Sequence, residues 1–316
     1  MKTSKYLLVG MLAVCGLCSC SNDEEPIDNG TAKNIELSAG ISTTTRAVID
    51  ADYSKDLNVS FGRLDNPSSN ATWAAAIDAV RAGGSGNISV TFGTTQTYSV
   101  SNGESALIGF YPQASFATTS NPAKVSYTIT GDEDIMATDV QKGAANNPFQ
   151  PFTFQHLLTQ LQFKCVGSSE AVARWSAITS ITVKAVPTAL ELSIDKASGA
   201  SLAPAAAPVE ADLAVFNCPT AVTLSTEKDP KIGYLMLYPT SGMGTATSAI
   251  TLEVKATYDS VEKTLTVPIN NIADGVKASQ SHTITLNFTV TGEITVEAGI
   301  AEWVPGNGGG SSVVPN

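Results

Sequence analysis

Between residues 250 and 258 apolar and polar side chains alternate strictly, with Ile250, Leu252, Val254, Ala256 and Tyr258 on one parity and Thr251, Glu253, Lys255 and Thr257 on the other. An extended chain points successive side chains to opposite faces, so this pattern makes one dry face and one wet face and fits no helix. Asp259-Ser260 follows as a two-residue turn, and Val261, Leu265, Val267 and Ile269 then resume on one parity, which completes a β-hairpin. Ile284, Leu286, Phe288 and Val290 repeat the pattern, with Thr283, Thr285, Asn287 and Thr289 outward. Further strands are expected at 35–41, 87–92, 106–111, 125–130, 158–166, 178–185, 189–194 and 232–238. Many short antiparallel strands separated by turns imply an all-β chain built from β-sandwiches. One short helix is expected in the first half. Thr72 caps it, Trp73, Ile77 and Val80 recur on one face, Ala74, Ala75, Ala76 and Ala79 favour it, and Gly83-Gly84 ends it.

Composition narrows the function. The chain has 316 residues, only 15% of them charged, and a net charge of -11. Low charge excludes a coiled coil or a highly charged disordered chain, and the acidic balance argues against nucleic acid as a partner. Only two histidines occur, His156 and His282, far apart in the sequence. Neither a Cys/His cluster nor a G-x-S-x-G or phosphate-loop motif accompanies them, so no metal, cofactor or catalytic residue is expected. Asp132-Glu133-Asp134 lacks Ca²⁺-loop spacing and reads as a solvated turn after Gly131.

The N-terminus reads as an address. Lys2 and Lys5 precede an apolar run from Leu7 to Leu17, of signal-peptide length and too short to span a bilayer. It ends at Leu17-Cys18-Ser19-Cys20, which resembles a bacterial lipobox and implies cleavage before Cys20 and acylation of that cysteine. Several acyl chains would anchor the chain, at about 0.8 kcal/mol per buried CH₂. Ser21-Asn22-Asp23-Glu24-Glu25 is similar to the acidic export signal of surface lipoproteins in Bacteroidetes-type bacteria, and it also reads as a solvated tether. Cys165 and Cys218 remain after processing. Secretion permits a disulfide between them, although Cys165 sits on the apolar parity of its strand and fits a buried thiol.

A break at Gly143-Ala144-Ala145-Asn146-Asn147-Pro148 divides the body. The expected organisation is a signal peptide at 1–19, a lipidated tether with a first strand at 20–46, one sandwich domain at 47–147 and a second at 148–316. No short internal repeat stands out.

Several segments together resemble the fimbrillin family of Bacteroidales. They are the lipobox with its acidic tail, Phe110-Tyr111-Pro112, Asp134-Ile135-Met136-Ala137, the run from Phe154 to Leu161, and Trp303 behind the last alternating strand. The resemblance implies two transthyretin-like antiparallel β-sandwiches in tandem, in a major-stalk or accessory subunit that polymerises outside the cell. It also implies an arginine-specific maturation protease that cuts in the loop behind the first strand. Thr43-Thr44-Thr45-Arg46-Ala47 supplies that loop, and the cut would fall between Arg46 and Ala47.

The physical logic stands beside the resemblance. Ile35, Leu37, Ala39 and Ile41 mark a first strand whose apolar side would fill a groove. Cutting behind it makes its retention non-covalent, and its departure bares unpaired backbone that a strand of another subunit can join. Head-to-tail insertion does not close, so it builds a filament. The candidate donor strand is C-terminal and holds Ile294, Val296, Ile300 and Trp303, ahead of a Gly-rich tail from Pro305 to Asn316. The expected function is thus a fimbrial subunit, anchored in the outer membrane and then extracellular, whose partners are other copies or related subunits. The rival reading is an uncleaved, lipid-anchored tip adhesin for a host or glycan ligand. A hydrolase lacks any acid/base constellation.

Overall fold

The computed structural model describes residues 32–300, apart from 43–48, 69, 100–102, 117–119, 219–223, 225 and 227–230. The first half supplies β1 (Leu37–Ile41), β2 (Leu57–Asp65), β3 (Ile77–Arg81), β4 (Ile88–Phe92), β5 (Ser105–Tyr111), β6 (Ala123–Thr128), β7 (Met136–Ala137) and β8 (Gln141–Gly143). Next come β9 (Phe152–His156), β10 (Thr159–Gly167), the short helix α1 (Ser169–Arg174), β11 (Trp175–Pro187), β12 (Ala189–Asp195), β13 (Gly199–Pro204) and β14 (Glu210–Ala214). β15 (Lys231–Leu237), β16 (Ile250–Tyr258), β17 (Val261–Ile269), β18 (Ser281–Phe288) and β19 (Ile294–Ile300) complete the described chain.

The first eight strands, β6 excepted, form with β9 an 8-stranded sheet in the order β2-β3-β4-β1-β9-β7-β5-β8, and β5 also pairs with β2. The sheet therefore closes on itself. Its interior holds Leu37, Val59, Phe61, Leu107, Phe152 and Phe154. Its outer side packs through Leu64, Trp73, Ile108 and Phe110 on Val125, Leu192 and Ile194 of the β13-β12-β6 sheet. The turn at Ala144 and Asn147, which bond each other's backbone, returns the chain through β9 to the closed sheet. Chain behind residue 148 thus supplies both β9 and the β12 partner of β6, with β13 on the far side of β12.

The second half stacks two 4-stranded sheets, β15-β10-β18-β19 on β14-β11-β16-β17. Phe163, Trp175, Ile181, Leu252, Leu286 and Phe288 lie in the core between them. The expected β16–β17 hairpin is present, paired from Ile250↔Ile269 to Tyr258↔Val261. Asp259 and Ser260 both take positive φ, 47° and 65°, the geometry whose twist matches a two-residue hairpin.

The helix expected from Thr72 is not there. Residues 77–81 are strand β3, paired with Leu57 to Phe61 of β2 and with β4. Ala79 and Arg81 point inward and are buried, while Val80 is 37% exposed. The alanines gave local helix propensity, but pairing on both sides overrode it. The helix the chain does form, α1, lies in the second half, capped by the Ser168 side chain accepting from Ala171 N.

The two assignments differ in which side chain faces in. Val80→Lys should shift the urea unfolding free energy by no more than about 0.5 kcal/mol, as surface changes do. Ala79→Lys buries a charge without a partner and should cost about 3 kcal/mol or more. Equal losses would restore the helix.

Candidate functional site

β1 is an interior stave of the closed sheet. On one side it runs antiparallel to β4, with Leu37 opposite Val90, Ser38 opposite Ser89 and Ala39 opposite Ile88. On the other it runs parallel to β9, with Ala39 opposite Phe152 and Ile41 opposite Phe154. The chain on either side is also bonded. Ile35 N donates to Gln96 O at 2.8 Å, Tyr98 N to Lys33 O at 2.9 Å and Ser42 N to Phe154 O at 2.8 Å. Ile35, Leu37, Ala39 and Ile41 keep 6%, 7%, 0% and 5% of their surface exposed. Burying a Leu or Ile fully is worth about 1.5–3 kcal/mol, so the apolar side of β1 holds it strongly. An open groove of about 390 Å³ lies over the β1–β4 seam, lined by Ile35, Leu37, Val90 and Phe92 among others.

Arg81 sits at the centre of this arrangement and is fully buried. Its Nε donates to Ala39 O of β1 at 2.9 Å, and its two terminal nitrogens donate to the carbonyls of Ala82, Gly84 and Gly86 at 2.9–3.1 Å. All these partners are backbone carbonyls. The guanidinium therefore reads main chain, and burial lowers its pKa from the ordinary value. Without β1 the Nε–H would lose its acceptor, at a cost of about 1–3 kcal/mol for an unsatisfied buried group. Sequence reasoning did not single out Arg81, because a charged residue ending an apolar run looks like a solvated one.

At position 40 an added Cβ would meet Asn87 Oδ1 at 2.8 Å, the end of an exposed side chain that can swing aside, and the Gly86 carbonyl at 3.6 Å. The slot that β1 fills thus asks for large apolar residues at 35, 37 and 41 and a small one at 39.

Of the other expected site residues, Cys20, Arg46, Ala47 and Trp303 lie outside the described residues. Ile294, Val296 and Ile300 lie on β19, the edge of its sheet, paired with β18; Asn271 Nδ2 also donates to Val296 O at 3.1 Å, Ile294 and Val296 pack against the core, and Ile300 is 76% exposed. His156 Nδ1 stands 2.7 Å from Asp134 Oδ2, with both side chains buried beyond the reach of a substrate. Glu133 accepts from Thr130 N and Gly131 N, and Asp132 from the Thr130 hydroxyl, so these two form the expected turn, whereas Asp134 is buried and paired with His156 rather than solvated. Trp175 is buried against Tyr258 and Phe288, and its Nε1 donates to Thr289 O at 2.8 Å, so no sugar can stack on it. Cys165 and Cys218 are thiols rather than a disulfide, and burial pushes that of Cys165 well above its usual range.

The fold is that of an all-β protein of packed sandwiches with almost no helix. Residues 45–303 match the Fimbrillin-like family, and the chain belongs to that family. The matched region begins behind β1. Among solved structures, a putative cell adhesion protein from Bacteroides uniformis ATCC 8492 aligns with TM-score 0.58 at 14% identity, covering 86% of this chain and 98% of that one. A putative cell adhesion protein from Bacteroides ovatus ATCC 8483 gives TM-score 0.54 at 18% identity, over 87% of this chain and 99% of that one. A fimbrial protein from Bacteroides vulgatus ATCC 8482 gives 0.51 at 11% identity, over 85% and 99%. At such identities these likenesses show the fold alone. No curated protein matches the sequence.

The histidines give a pH test. Burial works against protonation of His156, but the charge and hydrogen bond of Asp134, with Asp50 adding, raise its pKa above the ordinary value. A raised histidine contributes stability that is fully present below the unfolded pKa near 6.5 and is lost as pH rises through the folded value. Burial lowers the pKa of His282, so its contribution has the opposite sign: stability falls as pH drops below about 6.5. In urea titrations across this range, His156→Gln should remove the loss at rising pH and His282→Gln the loss at falling pH. Asp134→Asn at pH 6 should cost about 3–5 kcal/mol by breaking a buried pair.

Proposed function

We propose that this protein is a structural subunit of a cell-surface fimbria. In this reading it is exported as a lipoprotein precursor acylated at Cys20 and held at the outer membrane. An arginine-specific protease cuts it between Arg46 and Ala47, and it polymerises by donor-strand insertion into extracellular filaments. The closed sheet with its covering β13-β12-β6 layer and the two stacked sheets behind it are the two transthyretin-like sandwiches of this reading. Membership of the Fimbrillin-like family supports the fimbrial part.

One observation carries the strand-exchange part. β1 is paired on both sides and buried on its apolar side, yet it joins the rest of the sheet only through the segment that holds Arg46. A strand so placed is held by non-covalent contacts alone once that segment is cut. Its departure would open two backbone edges, on β4 and β9, in one step.

Digestion of the full chain with an Arg-specific protease, followed by N-terminal sequencing and electrophoresis, tests the reading. The expected result is a stable fragment starting at Ala47 and multimers that resist SDS. Arg46→Ala should abolish both. Leu37→Asp with Ile41→Asp should release the first strand early and lower the unfolding midpoint. Persistent monomers after clean removal of the first strand would instead favour an uncleaved tip adhesin.

A further inference from the structure

A second open groove, of about 440 Å³, lies far from β1. Its lining is mostly apolar, with Leu157, Leu202, Tyr238, Pro239 and Val276, and it includes the exposed Lys277. The groove sits at one end of the β15-β10-β18-β19 sheet. There Thr159 stands beside Leu237, Gln160 beside Ser281 and His282 beside Ile300, so all four strands start or stop at that end. Leu157, Tyr238 and Lys277 belong to the chain just beyond those strand ends. β19 therefore delivers the chain that follows Ile300 to the end of the sheet where the groove lies.

That chain begins Ala301-Glu302-Trp303-Val304-Pro305 and lies outside the described residues. The register of β19 against β18 indicates where it leads. Continued past the His282↔Ile300 pair, the register sets Glu302 opposite Gln280 and Trp303 opposite Ser279. Gln280 N donates to Lys277 O at 3.3 Å, and Ser279 N donates to Leu158 O at 3.0 Å, next to Leu157. Three extended residues reach about 10 Å. Side chains alternate along an extended chain, so Trp303 falls on the face opposite to that of His282 and Ile300. His282 shares its face with Leu161, Ile284 and Leu286 of the sandwich core. The opposite face carries Tyr234, Met236 and Tyr238, which pack with Leu157 and Leu202. Position, face and apolar character thus agree, and the one acidic residue of the segment meets the lysine of the groove.

We propose that the C-terminal segment of the same chain closes this groove, with Trp303 against Leu157, Leu202 and Tyr238 and with Glu302 paired to Lys277. A buried aromatic side chain withdraws about 150–250 Å² from water, which makes Trp303 the anchor. The exposed ion pair adds little energy and gives direction. The contact is a latch on the far end of β19. Ile300 is 76% exposed, so the described residues pack little against that end, and the latch ties it to β13 and to the loops that follow β15 and precede β18. This contact goes beyond the fimbrial reading and belongs to the single, uncut chain.

Hydrogen–deuterium exchange on the full, uncut chain tests it. Trp303→Ala should speed exchange about tenfold or more at 276–282 and 298–300 and leave 250–258 of β16 as it was. Ala278→Trp, which fills the groove from an exposed lining position, should do the same with Trp303 in place. Lys277→Glu should have a smaller effect of the same sign, and adding Glu302→Lys should reverse it. Unchanged exchange in Trp303→Ala and in Ala278→Trp would overturn the latch. A Lys277→Glu effect that Glu302→Lys leaves in place would overturn the assigned ion pair. Protection that rises with protein concentration, or that returns to Trp303→Ala chains on mixing with the unaltered chain, would give the groove to the tail of a second copy and overturn docking within one chain.

Discussion

The pairing of β1 with both β4 and β9 is the contact on which the first half of the molecule depends. It closes the ring of strands from β2 round to β5, which leaves the three-residue β8 as the end of the sheet and few backbone groups to attract other chains. The same pairing seals the core, because the apolar side of β1 covers Phe61, Phe152 and Phe154. It also satisfies a buried cation, since Arg81 needs the Ala39 carbonyl as an acceptor. One short strand thus meets three requirements at once: backbone pairing, dry packing and polar satisfaction. Losing it would violate all three together, so the slot has a strong physical demand for some strand.

The second half is built to a different rule. Its stacked sheets have open edges, and one edge is β19. The turn that leads into β19 is tied down by side chains of the opposite sheet. Tyr258 Oη and Arg174 both donate to Val290 O, Trp175 Nε1 donates to Thr289 O, and Arg174 pairs with Asp259. Arg174 and Lys263 lie 4.4 and 4.3 Å from the centre of the Tyr258 ring. These contacts fix the Thr289–Gly292 turn and leave the far end of the strand, at Ile300, in solvent. Anchorage is therefore strong at the start of β19 and weak at its end, so separation from β18 would begin at Ile300.

What could be read in the sequence follows from which faces are wet. β16, β17 and β18 keep one face toward solvent, so their alternation is clean, and the β16–β17 hairpin is legible in it. β5 is buried on both faces, with Leu107 inside the closed sheet and Ala106, Ile108 and Phe110 against the outer layer. Such a strand loses its period-two signal. β2 passed unrecognised, with Ser60 and Gly62 inside its buried stretch. β3 reads as a helix because its alanines favour one and its inward face ends in Arg81, a charge that no pattern places in a core. The apolar side of β1 was legible, whereas the reason for its small residues was not. At Ala39 that reason is a guanidinium contributed by chain more than forty residues away.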